Sequence, residues 1–284
     1  MCDGTHPMTK KYFSLRLRYI DMSIFIQYIR HDCFLMRTPV CTCVFDFWTD
    51  PDGHCAFLDS VDVSKPFYVI VSHHHKDHFT RKIFRWTERF PNIHYIISKD
   101  TARSVSYLLK PESAYRGEYR VSPSLVTVMK PGDIYEDPNI RITAFGSTDI
   151  GNSYMVQACG QRFFHAGDLN AWIWKDESTD AEVSAALRAY DKILDDIRTA
   201  TDRFDLVMFP VDARIGRDYW EGAARFVRRF KVANFVPMHF CLGGDAEENL
   251  RFIDAAIRFP LYANPEYGSY CALTEPYSTL KLDM

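Results

Sequence analysis

Residues 72–78 read Ser-His-His-His-Lys-Asp-His and place four of the ten histidines within six positions. They follow Phe67-Tyr-Val-Ile-Val71, a short apolar run of the kind that forms a strand buried on both faces. Imidazole and carboxylate are the usual ligands of zinc and related divalent ions. In extended chain leaving a strand, alternate side chains share a face, so His73 and His75 project to the same side. Asp77 and His78 come from the next turn and can reach a second ion beside the first. A solvated polar loop or a tag-like run is the competing reading, but chance rarely sets Asp77-His78 at this spacing straight after a buried strand. His74 has no role in the pattern and is expected to point away. The chemistry open to such a cluster is hydrolysis. A divalent ion lowers the pKa of bound water from 15.7 toward about 7, and a pair of ions roughly 3.5–4 Å apart polarises a carbonyl or phosphoryl oxygen as well.

The elements that must position this cluster alternate in period along the chain. Residues 23–48 read as strands, closed by the turn residues Asp50-Pro-Asp-Gly53. A helix is expected over about 79–90, a strand at His94-Tyr-Ile-Ile97 and a short helix over about 100–109. Further strands are expected at 125–129, 139–145, 153–158 and 161–165. The second half changes to helix–strand alternation. A helix over 179–198 opens on a Thr179-x-x-Glu182 capping box, and others cover 217–230 and 247–258, the last with Leu250, Ile253 and Ile257 inward. Strands Asp205-Leu-Val-Met-Phe209 and Phe235-Val-Pro-Met238 lie between them. A β-rich first half followed by a mixed second half predicts an α/β (α+β) chain with two sheets packed together and helices outside, a four-layer αββα sandwich.

With these elements in place, His-x-His-x-Asp-His after a buried strand resembles the signature of the metallo-β-lactamase superfamily. Other segments match in the expected order. Val44-Phe-Asp46-Phe is similar to the early strand whose aspartate supports the site, and Phe164-His-Ala-Gly-Asp168 to the segment that supplies a bridging carboxylate. Phe235-Val-Pro-Met-His239 is similar to the strand end that supplies the last histidine. The resemblance covers about residues 23–260 and implies the αββα fold. It also implies that one metal takes His73 and His75, the other takes Asp77, His78 and His239, and Asp168 lies between them. Taken singly, His239 reads as a core histidine and Asp168 as a turn carboxylate; both fall where the pattern requires them.

The chain departs from the family at one position. The family carries a further first-metal histidine in a Gly-His-Thr-like turn; here the segment is Gly146-Ser-Thr-Asp-Ile-Gly151, with Ser147 at the histidine position and Thr148 at the threonine. A neutral hydroxyl is a poor zinc ligand, which leaves three possibilities: a water completes the site, Asp149 swings in, or only the second site fills. Asp149 also reads simply as a turn residue. Gly-Ser-Thr-Asp together with His165-Ala-Gly-Asp-Leu-Asn-Ala-Trp-Ile-Trp174 resembles a bacterial branch loosely similar to the ascorbate-6-phosphate lactonase type. Asp46 and His165 are candidates to hold ligands in orientation, although His165 reads equally as a half-buried strand residue. Trp172 and Trp174 read as core or as pocket wall. His54 reads as facing solvent rather than the site, and Lys76 reads either as attracting an anionic substrate or as simply exposed.

Composition narrows the function further. Lys and Arg number 34 against 37 Asp and Glu, a formal charge of −3, with no basic arm. That argues against a nucleic-acid substrate. No apolar run reaches 18 residues, so no membrane-spanning helix is expected. The eight cysteines lack any CxxC and no secretory signal precedes them, the pattern of reduced thiols in a cytoplasmic protein. Residues 1–22 read as a loosely held extension before one domain over 23–284, whose two halves must close on one site. The expected function is a metal-dependent hydrolase of zinc type with one or two ions, manganese or iron being alternatives. Asp77 would act with a metal-activated hydroxide on a small-molecule ester, lactone or phosphorylated substrate. The alternatives are a nuclease or phosphodiesterase of the same fold and a non-catalytic metal-binding sensor.

Overall fold

Strands dominate the first half because its apolar residues alternate between two environments. A computed structural model describes residues 23–110, 118–240, 246–260 and 268–283. The expected extension at 1–22, with Cys2, and also Cys241 lie outside the described residues. In chain order the first half holds β1 (Ile24–Arg30), β2 (Cys33–Arg37), β3 (Thr42–Phe45), β4 (Phe67–Val71), β5 (Ile93–Ser98) and β6 (Val126–Met129). A 3₁₀ segment, Arg81–Glu88, and helix α1 (Lys99–Ser104) connect them. The second half holds β7 (Ile134–Glu136), β8 (Arg141–Phe145), β9 (Ser153–Ala158), β10 (Gln161–His165), β11 (Arg203–Phe204), β12 (Leu206–Pro210), β13 (Lys231–Val232) and β14 (Asn234–Met238). Helices α2 (Asp180–Ala200), α3 (Glu221–Arg229) and α4 (Ala246–Arg258) alternate with these, and β15 (Ser269–Tyr270) and β16 (Thr279–Leu282) end the chain.

Two seven-stranded sheets result, in the orders β16-β1-β2-β3-β4-β5-β6 and β15-β14-β12-β10-β9-β8-β7, with β11 and β13 forming a separate pair. Within the first sheet Phe45 and Ile70 face the second sheet, while Val44, Val69 and Val71 face the other way, onto Phe84, Trp86 and Phe90. The central strands β3 and β4 are covered on both sides, which accounts for their unbroken apolar runs. On the far side of the second sheet, Tyr190, Leu194 and Ile197 of α2 and Phe226 of α3 join the main core. The layers are therefore the αββα order expected from the pattern. The Thr179 capping box is formed as well, with Glu182 reaching back to the Thr179 backbone.

Two local expectations are corrected. Helix α4 buries Phe252 and Ala256 and packs Ile253 against the core as expected, but leaves Leu250 65% and Ile257 52% exposed, so two of the three residues expected to face inward do not. The strand expected at 139–145 is β8, and it pairs with a strand that was not expected, β7, which lies between the loop-like residues Asp133 and Asp137. Among the described residues no helix is long and apolar enough to cross a membrane. The six described cysteines are free.

Topology decides where chemistry can gather. Strands β3, β4, β5 and β6 run parallel, as do β10, β12 and β14. Asp46, His73, Asp168, Asp212 and His239 all lie just past the carboxyl ends of these parallel strands. That rim is where open α/β sheets place their ligand sites.

Candidate metal centre

The ligand set begins with one buried carboxylate, Asp46. Its Oδ1 accepts the Ser72 backbone N–H at 2.7 Å, and its Oδ2 accepts the Ser72 hydroxyl at 2.5 Å and His78 Nδ1–H at 2.9 Å. Because the Ser72 hydroxyl proton is given to Asp46, Ser72 Oγ accepts from His73 Nδ1, 2.9 Å away. Asp46 thus orients His78 directly and His73 through Ser72, and leaves Nε2 of both rings as lone pairs. Burial raises the Asp46 pKa, but the hydrogen bond from His78 and the charges of His165 and His78 outweigh it, so the carboxyl sits below its ordinary range.

Asp168 lies between two groups of ligand atoms. On one side His73 Nε2 is 3.3 Å from Asp168 Oδ2 and 3.0 Å from His75 Nδ1, which is 3.6 Å from Asp149 Oδ2. On the other, His78 Nε2 and His239 Nε2 stand 3.0 and 3.1 Å from Asp168 Oδ1. The ligand atoms of His73, His75, Asp149 and Asp168 lie within 4.8 Å of one another, as do those of Asp77, His78, His239 and His31, and those of Asp32, His78, Asp168 and His239.

These residues fit divalent ions on an observation of their own. His78 Nε2, His239 Nε2 and Asp168 Oδ1 are buried and close, yet none makes a hydrogen bond. Leaving buried polar atoms unpaired costs about 1–3 kcal/mol each, more when charged, and a cation at their common focus removes that cost. Ligand atoms held 2.0–2.1 Å from a zinc-sized ion stand roughly 2.8–3.4 Å apart, the spacing seen here. In the metal-free protein the same proximity traps protons. Burial lowers the His239 pKa, but Asp32 and Asp168 more than reverse this and raise it to about 10. Likewise burial opposes a charge on His78, and Asp168 and Asp32 outweigh it.

At this rim the comparisons with known proteins bear directly on the site. The family model described as the beta-lactamase superfamily domain matches residues 43–240, which include every candidate ligand named above except His31 and Asp32. The chain belongs to the metallo-β-lactamase superfamily. No curated protein matches the chain. Igni18, described as a novel metallo hydrolase from Ignicoccus hospitalis, is 13% identical with a TM-score of 0.59, covering 92% of this chain and 99% of that one. YhfI from Bacillus subtilis, a metallo-beta-lactamase fold protein, is 10% identical with a TM-score of 0.57, covering 92% and 99%. CmlA from Streptomyces venezuelae, a diiron beta-hydroxylase, is 10% identical with a TM-score of 0.57; the match covers 92% of this chain and 54% of CmlA, so this chain spans about half its length. At such identities the likeness is one of fold.

Against the family's pattern, the residues singled out in the sequence distribute as follows. His73, His75, Asp77, His78, Asp168 and His239 converge. Asp46 supports two of these histidines. Ser147 is in neither ligand group; its Oγ accepts the Asp149 N–H at 3.3 Å. Thr148 ties two loops, donating to Asn170 O at 2.5 Å and accepting Asn170 N–H at 3.0 Å. His165 is buried, stacked on Phe45, with Nε2 donating to Asp32 O at 2.8 Å, so it holds the β1–β2 turn rather than a ligand ring. Trp172 donates its indole N–H to Asp168 O at 2.8 Å, and its ring packs edge-on to His239. Trp172 and Trp174 both line the cleft above the centre, about 430 Å³, together with Asp77, Thr148, Asp149, Asp212 and Arg214. His74 turns away to Asp100 at 3.0 Å, and His54 is exposed.

Four residues of this metallo-β-lactamase site were not anticipated. His31 and Asp32 occupy the β1–β2 turn, both fully buried, with no side-chain polar atom hydrogen-bonded; His31 Nε2 stands 3.6 Å from Asp77 Oδ2 and Asp32 Oδ2 3.7 Å from His78 Nδ1. Burial, with His239 beside it, lowers the His31 pKa to about 3 and keeps the ring neutral; burial pushes the Asp32 carboxyl up. Two adjacent polar residues between strands read as an ordinary hairpin turn. Asp212 accepts from His239 Nδ1 at 2.9 Å and is held by Arg214 through Nε at 2.9 and 3.0 Å and Nη2 at 2.6 Å. A carboxylate just after the apolar strand β12, where its parallel neighbours β10 and β14 supply Asp168 and His239, was the available signal. His31, Asp46, Trp172 and His239 also carry positive φ values of 55°, 43°, 44° and 67°. For non-glycine residues each costs on the order of 1–3 kcal/mol, strain that concentrates at functional sites.

Proposed function

We propose that this protein is a metal-dependent hydrolase acting on a small ester, lactone or phosphorylated molecule. The observation that carries this reading is the convergence of unpaired His78, His239 and Asp168 ligand atoms at the floor of an open cleft. Histidine and carboxylate without thiolate suit zinc, manganese or iron. A divalent ion bound there supplies Lewis acidity, lowering the pKa of water toward about 7 and polarising the scissile group.

The chain's own residues account for the remaining tasks. Burial opposes ionisation of Asp77, but its contact with His31 and the charge of His78 outweigh this, so its carboxyl sits well below the usual range and remains an acceptor at neutral pH. Asp77 lines the cleft and would orient the attacking water as well as ligate. Arg214, fixed by Asp212, presents a guanidinium at the cleft wall, suited to a carboxylate or phosphate of the substrate. Trp172 and Trp174 offer apolar area to its remaining part.

The test is a panel of lactones, esters, phosphomonoesters, phosphodiesters and RNA offered to protein reconstituted with zinc, manganese or iron. Turnover of a small ester, lactone or phosphomonoester, lost in Asp168→Ala, is expected. Turnover of RNA or phosphodiesters alone would replace this reading with the nuclease one, and full metal occupancy without any turnover would favour a sensor.

A further inference from the structure

We propose that Asp149 is the fourth protein ligand of the first metal position, taking over from the histidine that Ser147 replaces, and that this biases the position toward manganese(II) or iron(II) relative to a three-histidine set. The inference rests on the metal centre proposed above and concerns which residues and which ion complete it.

Three observations place Asp149 there. Its Oδ2 lies 3.6 Å from His75 Nδ1, within the same 4.8 Å cluster as His73 and Asp168. Among the described residues its carboxylate makes no hydrogen bond, although the cleft in which it sits is lined by groups that do. His73, the partner that defines the position, is fully buried with Nε2 directed at the same point.

The loop that carries Asp149 is pinned on both sides. Before it, Thr148 is tied to the Asn170 backbone, two residues past Asp168. After it, Asn152 N–H donates to Ser72 O at 3.0 Å, and Gly151 at φ +80° lies so close that a Cβ would stand 2.1 Å from Ser72 O and 2.5 Å from His73 Cβ. Only glycine permits that approach. Ser147 uses its hydroxyl to accept the Asp149 N–H, which turns the serine toward the chain and the aspartate toward the metal position. The resulting donors are two imidazoles and two carboxylates. Replacing an imidazole by a carboxylate makes the set harder and more anionic, which favours manganese and iron relative to zinc.

The experiment compares metal content in the full chain, wild type against Asp149→Asn, Asp149→His and His75→Ala, after anaerobic reconstitution with equimolar manganese(II), iron(II) and zinc(II). The readouts are elemental analysis and manganese(II) electron paramagnetic resonance. Removing an outer-shell partner weakens metal binding by about 10–100-fold, so loss of a direct ligand in Asp149→Asn should weaken one ion by about 100-fold or more and leave the other. Asp149→His should raise the zinc-to-manganese ratio at that position about tenfold. Because the Asp149 side chain is 41% exposed and its contact with His75, at 3.6 Å, faces solvent, the metal-free melting temperature should move little, which separates ligation from folding. Asp149→Asn retaining two ions with unchanged preference would overturn the proposal. So would a wild-type protein that binds one ion whose affinity is indifferent to Asp149, with the hydrolase reading intact. Binding of no ion by any variant would overturn both.

Discussion

The two groups of candidate metal ligands share Asp168 but are built differently. At the second, His78 and His239 are buried, and each has its Nδ1 fixed by a buried carboxylate, Asp46 for one and Asp212 for the other. At the first, His73 is equally buried, but His75 and Asp149 are 44% and 41% exposed, and Asp149 lines the cleft. One position has both histidines fixed and buried, with only Asp77 facing solvent; the other is held by one buried histidine and two solvent-facing side chains. Ligands held rigidly lose less freedom on binding, so the second position should bind its ion more tightly.

Asp168→Ala attacks what the two positions share and carries the largest expected effect. It should lower occupancy at both and reduce turnover by about a thousandfold, since a centre worth several kcal/mol to the transition state is dismantled and 1.36 kcal/mol corresponds to tenfold. Loss of only one ion would mean that Asp168 belongs to a single position.

A pH effect is expected mainly at the second position. The metal-free His239 pKa is raised from 6.5 to about 10, so the ring is protonated at neutral pH and a metal must displace that proton. Affinity there should rise as pH increases toward 10, and calorimetry in buffers of different ionisation enthalpy should show about one proton released through His239. The sign for stability is the opposite: protonated His239 stabilises the metal-free fold fully below pH 6.5, and this contribution fades as pH rises through about 10. Metal-free protein that becomes more stable over that interval would contradict this.

Smaller perturbations separate the positions. Asp212→Asn should weaken the second ion by about 10–100-fold and leave the first, whereas Asp46→Asn should weaken both, because Asp46 also holds His73 through Ser72. Equal effects of the two variants would remove the distinction. Gly151→Ala should act on the first position only, displacing the loop from Ser72 at a cost of about 1–3 kcal/mol, visible as a lower melting temperature. The smallest effect is expected from Trp174→Ala. As an exposed cleft wall, it should change KM a few-fold, about 1 kcal/mol or less, without altering metal content.

Much of the centre was legible because strand periodicity and ligand spacing are local properties. His73, His75, Asp77 and His78 follow one buried strand within a single turn, and their arrangement needs no knowledge of the rest of the chain. Asp168 and His239 were legible through family order rather than chemistry, since a lone carboxylate after glycine has many ordinary explanations. His31, Asp32 and Asp212 were not. Each acquires its role from sheet order, which brings the β1–β2 turn and the β12 end to the same rim, and no local pattern encodes that juxtaposition. Helix α4 was read only in part for a related reason: Leu250, Ile253 and Ile257 share a face by periodicity, but so do Phe252, Ala256 and Phe259, and the larger rings take the interior, leaving only Ile253 of the first set against the core.

Metal titration of the metal-free protein tests the unequal, two-position centre most directly. Wild type should bind two ions per chain in two resolved steps, His75→Ala should lose the weaker step, and His239→Ala should lose the tighter one. A single step in the wild type, or loss of the tighter step in His75→Ala, would contradict the account.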